Sequence, residues 1–202
     1  MKRIVLVLVV LAVVTTGAFA QWVVGAELGF NYLLEDWSDY DDVNQVGFPV
    51  MLEVGYQLPY ETDFGAMGMS TFTVGGKFGF INNIVSFEDS GTGYDYNFKI
   101  WTIPVFAYGR AEAGLLYAEL GLGLHAWTLD SELESDLFGD RDFGDNGIDV
   151  GVYLSGGVNF PLSEQLFLRG GLTFTKLSFD LDAEDESAGN ILGVTVGVSY
   201  KL

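Results

Sequence analysis

Six charged residues stand inside otherwise apolar, alternating segments: Glu27, Glu53, Lys77, Lys99, Glu119 and Arg169. Three acids and three bases in such surroundings have two chemical uses. They can pass protons or ions through a low-dielectric interior, or they can neutralise one another as a structural plug. An unpaired buried charge costs several kcal/mol, so equal numbers of both signs favour mutual pairing, and the plug is the expected role. Asp149 and Lys201 share the same strand parity nearer the ends. His125 is the sole histidine. It could serve as a base between Ser131 and Asp149, but nothing in the spacing selects those partners, and no catalysis is expected. The run Asp140-Arg-Asp-Phe-Gly-Asp-Asn-Gly147 has the flavour of a calcium loop. Its twelfth position is Gly151, where a bidentate glutamate is needed. Neither a dedicated metal site nor a cofactor is expected.

Composition narrows the function classes further. The 202 residues carry 9 Lys+Arg against 28 Asp+Glu, a formal net charge of −19. A nucleic-acid partner requires a basic footprint and is excluded. The absence of cysteine removes disulfides, thiolate metal sites and a cysteine nucleophile. Yet 49% of the residues are hydrophobic and 15% aromatic. High net charge normally accompanies low hydrophobicity, so the two properties must be segregated along the chain.

The first segregation is N-terminal. Lys2 and Arg3 precede an unbroken apolar run from Ile4 to Val14, and Ala18-Phe19-Ala20 places small residues at alternate positions. This is the layout of a secretory signal peptide cleaved after Ala20. The run is too short for a membrane-spanning helix, which needs about 20 residues. Residues 1–20 are therefore read as signal peptide and 21–202 as one domain.

That domain reads as eight strands. Period-2 alternation recurs throughout, with no sustained helical period. Trp22 to Tyr32, Val46 to Leu58, Phe72 to Phe80, Leu116 to Ala126, Ile148 to Phe160, Leu166 to Phe174 and Leu192 to Leu202 each place bulky apolar residues on one face. A further strand lies between Tyr94 and Tyr108. Its parity is open: Lys99 inward brings Trp101, Ile103 and Val105 inward too, unless a bulge near Pro104 reverses it.

The second face is rich in glycine, with Gly25, Gly55, Gly75, Gly121, Gly171 and Gly197 among many. Glycine weakens a strand and confers no solubility, so this is a poor solvated surface. A crowded interior explains it better, with the bulky set facing lipid. Aromatic residues near strand ends, such as Trp22, Tyr32, Tyr56, Phe160, Phe174 and Tyr200, suit interfacial girdles. Connections alternate in length. Residues 35–45, 83–97, 129–147 and 179–190 hold twenty of the 28 acidic residues, whereas Pro59–Gly68, Gly109–Gly114 and Pro161–Gln165 are short turns. The fold class expected is all-β: an eight-stranded, antiparallel, up-and-down transmembrane β-barrel with long acidic extracellular loops and short periplasmic turns.

From Gln21 to Leu202 the chain resembles the small eight-stranded bacterial outer-membrane barrels of the OmpA/OmpX-like group. The terminal strand, LGVTVGVSYKL, is the most specific piece. Family members end in an aromatic-rich alternating strand with a final Phe. Tyr200 fits this pattern and Leu202 departs from it. The resemblance implies residence in the outer membrane, contact with its lipid, and recognition of the last strand by the barrel-assembly machinery. Eight strands enclose an interior just filled by side chains, so a general porin is not expected. A monomer serving envelope structure and surface interaction, as an adhesin or host-factor binder, is the leading function; a narrow channel or transporter of small or hydrophobic solutes is the alternative. Interaction candidates are the apolar anchors Trp37, Tyr40, Phe138 and Phe143 and the period-2 acids Asp180, Asp182, Glu184 and Glu186, facing basic partners or divalent cations.

Overall fold

A computed structural model of the chain describes residues 21–34, 41–63, 69–89, 94–135, 141–179 and 187–202. They form β1 (Gln21–Leu33), β2 (Asp41–Asp63), β3 (Met69–Asp89), β4 (Tyr94–Ala113), β5 (Leu116–Ser135), β6 (Arg141–Pro161), β7 (Leu166–Phe179) and β8 (Ser187–Lys201). Each strand pairs antiparallel with its chain neighbours, and β1 pairs with β8 to close the barrel. Closure leaves no unpaired sheet edge around the girdle, as a lipid-exposed backbone requires.

The ladder fixes the stagger. From Val23 the pairing runs to Gly55, Gly75, Tyr108, Gly121, Tyr153, Thr175 and Ile191, and returns to β1 at Leu33, ten residues beyond its start. Such a shear tilts the strands by roughly 35–45° and leaves a bore that side chains fill.

The two faces separate as the alternation requires. Leu28, Val50, Leu122, Leu172 and Val194 are exposed on the outer wall, while Glu27, Met51, Lys77 and Tyr153 are buried. Inner glycines make room for these long side chains. A Cβ on Gly55 would come within 2.4 Å of Tyr108 Oη, and one on Gly171 within 2.2 Å of Tyr117 Oη. Exposed aromatic residues gather in two belts. Trp22 stacks edge-on to Tyr56 at 5.5 Å near the turn end; Phe30 meets Phe48 at 5.1 Å and Phe80 meets Trp101 at 5.0 Å farther up. Trp22 and Phe30, eight residues apart on β1, are separated by about 20 Å along the axis at ~3.3 Å per residue and this tilt. Between the belts the large exposed side chains are aliphatic but for Phe78.

Three expectations are corrected. The turn expected over Gly109–Gly114 is only Gly114–Leu115, because Ala113 pairs with Leu116 and Gly114 alone supplies the positive φ of a two-residue hairpin (60°). The parity of β4 is settled by its neighbours. Thr102, Phe106, Tyr108 and Arg110 are buried, and Trp101, Ile103 and Val105 face outward. Registers to β3 and β5 run without a bulge past Pro104, so Lys99 falls on the outward parity. Finally, two of the connections expected to be long, 83–97 and 129–147, are largely strand. The β3–β4 ladder continues to Asp89↔Tyr94 and the β5–β6 ladder to Leu133↔Arg141. Hydrogen bonding between strands outlasts the apolar alternation because the ladder uses backbone, not side chains. As a result β2 to β6 have 20 to 23 residues, against 13, 14 and 15 for β1, β7 and β8. One side of the barrel rises as a wall.

Candidate functional site

The registers assemble a charge cluster from four directions. Glu53 lies directly opposite Lys77 across β2–β3, and Arg110 opposite Glu119 across β4–β5. Glu27 on β1 and Arg169 on β7 flank the same residue of β8, Gly197. A Cβ there would sit 2.5 Å from Glu27 Cγ, so this glycine leaves the space through which Glu27 reaches Arg169.

Lys77 Nζ donates to Glu27 Oε2 at 3.0 Å and to Glu119 Oε1 at 2.6 Å, with Glu53 Oε2 at 3.7 Å. Arg110 Nε donates to Glu119 Oε2 at 2.6 Å, and its terminal nitrogens hold Glu53 and Glu119. Arg169 Nη1 donates to Glu27 Oε1 at 3.0 Å and to Glu53 Oε1 at 2.8 Å, and Nη2 to Ser199 Oγ at 3.3 Å. Three cations thus meet three carboxylates, and every carboxylate contacts at least two cations. Glu112 stands at the turn-side margin, 3.8 Å from Arg110 and 3.9 Å from Arg169. Such multiple pairing is what compensates desolvation of so many charges.

Tyrosines pack around the cations. Lys77 Nζ lies 4.7 Å from the Tyr153 ring centroid and donates to its hydroxyl oxygen at 3.1 Å; Arg110 lies 4.9 Å from Tyr108, and Arg169 5.3 Å from Tyr117. Tyr117 Oη shares a hydrogen bond with Ser155 Oγ at 3.1 Å. On the loop side of the charges, Met51, Ile81, Phe106 and Tyr153 form a buried apolar cluster. The cavity bounded by this cluster, Glu27 and Asn31 is about 20 Å³, no larger than a single water.

Above that cluster His125 is fully buried, in register with Asp149 of β6. The Asp149 carboxylate accepts a hydrogen bond from Trp127 Nε1 at 2.6 Å. Ser131 is six residues from His125 on the same extended strand, or about 20 Å. Those two cannot form a nucleophile–base pair. From Arg141 onward the segment resembling a calcium loop runs as strand, with Arg141 to Gly147 paired to Leu133 to Trp127 of β5.

Of the six charges singled out in the sequence, the structure brings together Glu27, Glu53, Lys77, Glu119 and Arg169. Lys99 is not among them. It shares the outward parity of β4 and pairs across the ladder with Asp130, and Arg110 takes its place. Sequence reasoning missed Arg110 because it lay in the span read as a turn. The signal was present: Tyr108, Arg110 and Glu112 before Gly114, and Tyr117 and Glu119 after it, are polar at period 2 on both arms of one hairpin. Phe143, expected in a loop, has its backbone on β6 opposite Ser131. Trp37, Tyr40, Phe138, Asp180, Asp182, Glu184 and Glu186 lie outside the described residues.

A family model for the outer membrane protein beta-barrel domain matches residues 6–201. The barrel is similar to Ail, the attachment invasion locus protein of Yersinia pestis, with TM-score 0.50 and 12% identity over 91% of this chain and 99% of that one. It is also similar to Neisserial surface protein A (TM-score 0.46, 14% identity, 91% and 99% covered) and to the outer membrane protein OprG from Pseudomonas aeruginosa (0.44, 12%, 91% and 96%). These likenesses concern the fold. No curated protein sequence matches the chain.

Proposed function

The chain belongs to the outer-membrane β-barrel family, and on that premise we propose that it is a non-conducting, non-enzymatic barrel whose tall acidic wall engages basic partners at the cell surface. The protein resides in the bacterial outer membrane. The observation that carries the reading is the filled lumen. Six mutually paired charges and the cluster of Met51, Ile81, Phe106 and Tyr153 occupy the bore, which leaves the surface as the place for function. The strands that rise highest bear Asp130, Glu132, Glu134, Asp142 and Asp145. Like charges so concentrated attract basic polypeptides and divalent cations over roughly a Debye length, about 8 Å at physiological salt. Trp37, Tyr40, Phe138 and Phe143 would add apolar anchors, and Asp180, Asp182, Glu184 and Glu186 further charge. The last strand, with Tyr200 near its end, is the segment offered to the barrel-assembly machinery.

Two measurements test this reading. Protein reconstituted in planar bilayers should pass no current; steady unitary conductance would favour the narrow-channel alternative. Immobilised poly-lysine should capture the protein at low salt and release it as salt rises. Changing Asp130, Glu132, Glu134, Asp142 and Asp145 to Asn or Gln should abolish capture while the barrel stays folded. Undiminished capture would reduce the acids to a self-repelling coat that limits aggregation.

A further inference from the structure

We propose that the raised part of the wall docks an amphipathic, basic polypeptide segment on the face that overlooks the barrel mouth. The proposal rests on the surface-interaction reading above and supplies its apolar half. Burial fixes the inner parity at the membrane exit: Asn83 of β3, Thr102 of β4 and Trp127 of β5 are all buried. The β3–β4, β4–β5 and β5–β6 registers run on upward without a shift, so each parity keeps its face above the bilayer. Polarity, however, changes sides. Tyr94-Asp-Tyr-Asn-Phe-Lys-Ile100 of β4 alternates residue by residue, and its aromatic and aliphatic members are the ones on the inner parity.

The neighbouring strands repeat the pattern. One ladder row sets Phe87, Tyr96 and Leu133 side by side, and the next sets Val85, Phe98 and Ser131 beside Phe143. On the outer parity the residues turn polar past Ile84 and Ala126, and the interleaved row is Ser86, Asn97, Glu132 and Asp142. Within the membrane the barrel is apolar outside and polar inside; above it the order is reversed. β1 ends at Leu33 and β7 at Phe179, and β8 begins at Ser187. Among the described residues, then, no strand faces these rows across the mouth.

Size and composition point to a protein partner. Four strands about 4.8 Å apart and some 20 Å of β4 make a face on the order of 300 Å². Apolar patches of this order, rimmed by polar residues, mark interaction sites. Aromatic residues occupy the centre of the face, and Asp89, Arg141 and Asp145 stand at its margins, as in the core and rim of an interface. The occupant follows from charge. The low-side connections, residues 35–40 and 180–186, hold eight acids in thirteen residues, and carboxylates are costly to lay on an apolar face. A segment arriving past those acids and the acidic outer parity is favoured if it is basic. It must also offer apolar residues to Phe87, Tyr96 and Phe98. A second copy of this chain brings the same formal charge of −19 and is repelled.

The protein in phosphatidylcholine nanodiscs is titrated at low salt with two labelled peptides of equal length, alternating Lys-Leu and alternating Lys-Ser. Binding to empty nanodiscs is subtracted. The two peptides carry equal charge, so an apolar docking face should make the leucine peptide bind at least about tenfold tighter. Phe87→Ser with Phe98→Ser should cut that advantage below about twofold and leave Lys-Ser binding unchanged. Ser86→Ala with Asn97→Ala, on the outer parity, should retain it. A photoactivatable leucine in the first peptide should label Val85, Phe87, Tyr96 and Phe98 of the parent protein in preference to Ser86 and Asn97. Equal affinity of the two peptides for the parent overturns the proposal and leaves the acidic reading standing, whereas failure of both to bind overturns both. Preferential labelling of Ser86, Asn97 or the membrane-facing wall overturns it whether or not the variants fold. So does an advantage that survives in the folded Phe87→Ser, Phe98→Ser variant.

Discussion

Arg110 and Glu119 face each other across the tightest hairpin of the barrel, with Arg110 Nε donating to Glu119 Oε2 at 2.6 Å and both side chains buried. They are nine residues apart in sequence, so the hairpin alone can bring them together. The Glu27–Arg169 pair spans 142 residues and exists only once β8 has closed the barrel. A single interior cluster therefore combines a contact within one hairpin with a contact between strands far apart in the chain.

Removing one member of the hairpin pair should be costly. Arg110→Met or Glu119→Gln leaves partners uncompensated in a buried site, and each should lower stability by about 3–5 kcal/mol. Lys99→Met, on the outward parity, should cost less than about 1 kcal/mol. Urea unfolding in lipid vesicles gives the comparison. If Lys99 proves the costly position and Arg110 the neutral one, the β4 register is wrong.

The closing pair offers a second test. Arg169→Met deprives both Glu27 and Glu53 of a cation and should cost a similar 3–5 kcal/mol. Combined with Glu27→Gln, the loss should be smaller than the sum of the two single losses, by roughly 0.5–3 kcal/mol, as expected for residues in one network. Strict additivity in the double-mutant cycle would mean that the two do not interact.

Glycines on the two faces should respond differently. Gly171→Ala drives a methyl group into Tyr117 Oη and the Gly156 carbonyl oxygen, at 2.2 and 2.8 Å, and should destabilise the barrel by about 1–3 kcal/mol. Gly109→Ala meets nothing and should be neutral or stabilise by up to ~1 kcal/mol. Equal unfolding midpoints for the two variants would contradict the assignment of faces.

Trp127→Phe keeps an aromatic ring, though a smaller one, near the top of the lumen and deletes the N–H donated to Asp149. A loss of about 1–3 kcal/mol is expected for a part-buried carboxylate deprived of a donor. Asp149→Asn, which can still accept that hydrogen bond, should lose less. The same denaturation assay ranks them, and the reverse order would show that the bond contributes little.

The N-terminal region predicts a mass. Cleavage after Ala20 leaves Gln21 as the first residue, and intact-mass measurement on protein isolated from outer membranes should find it. A chain retaining Lys2 and Arg3 would show that the apolar run is not removed.

Much of this architecture is legible in one dimension because a barrel wall obeys a strict period of two. Trp22, Val24 and Leu28 alternate with Glu27 and the inner glycines, so β1 declares its faces without any partner, and so do β5 and β8. Five of the six interior charges were readable for the same reason: an acid or base at the glycine-rich parity has nowhere to go but inward. Strand β4 resists that logic. Both of its faces are apolar through the middle, with Trp101, Ile103 and Val105 on one and Pro104, Phe106 and Tyr108 on the other, so its own alternation is mute. Only hydrogen bonding to β3 and β5 selects the parity, and with it Arg110 over Lys99. The height of the β2–β6 wall was hidden for a related reason. Past Ile84 and Ala126 the side chains turn polar and read as loop, while the backbone ladder, indifferent to side-chain polarity, keeps pairing to Asp89 and Leu133. Periodicity in the chain determines which way each residue faces. Which residues then meet across the bore is set by the ten-residue stagger, a property of eight strands closing on one another and of no strand alone.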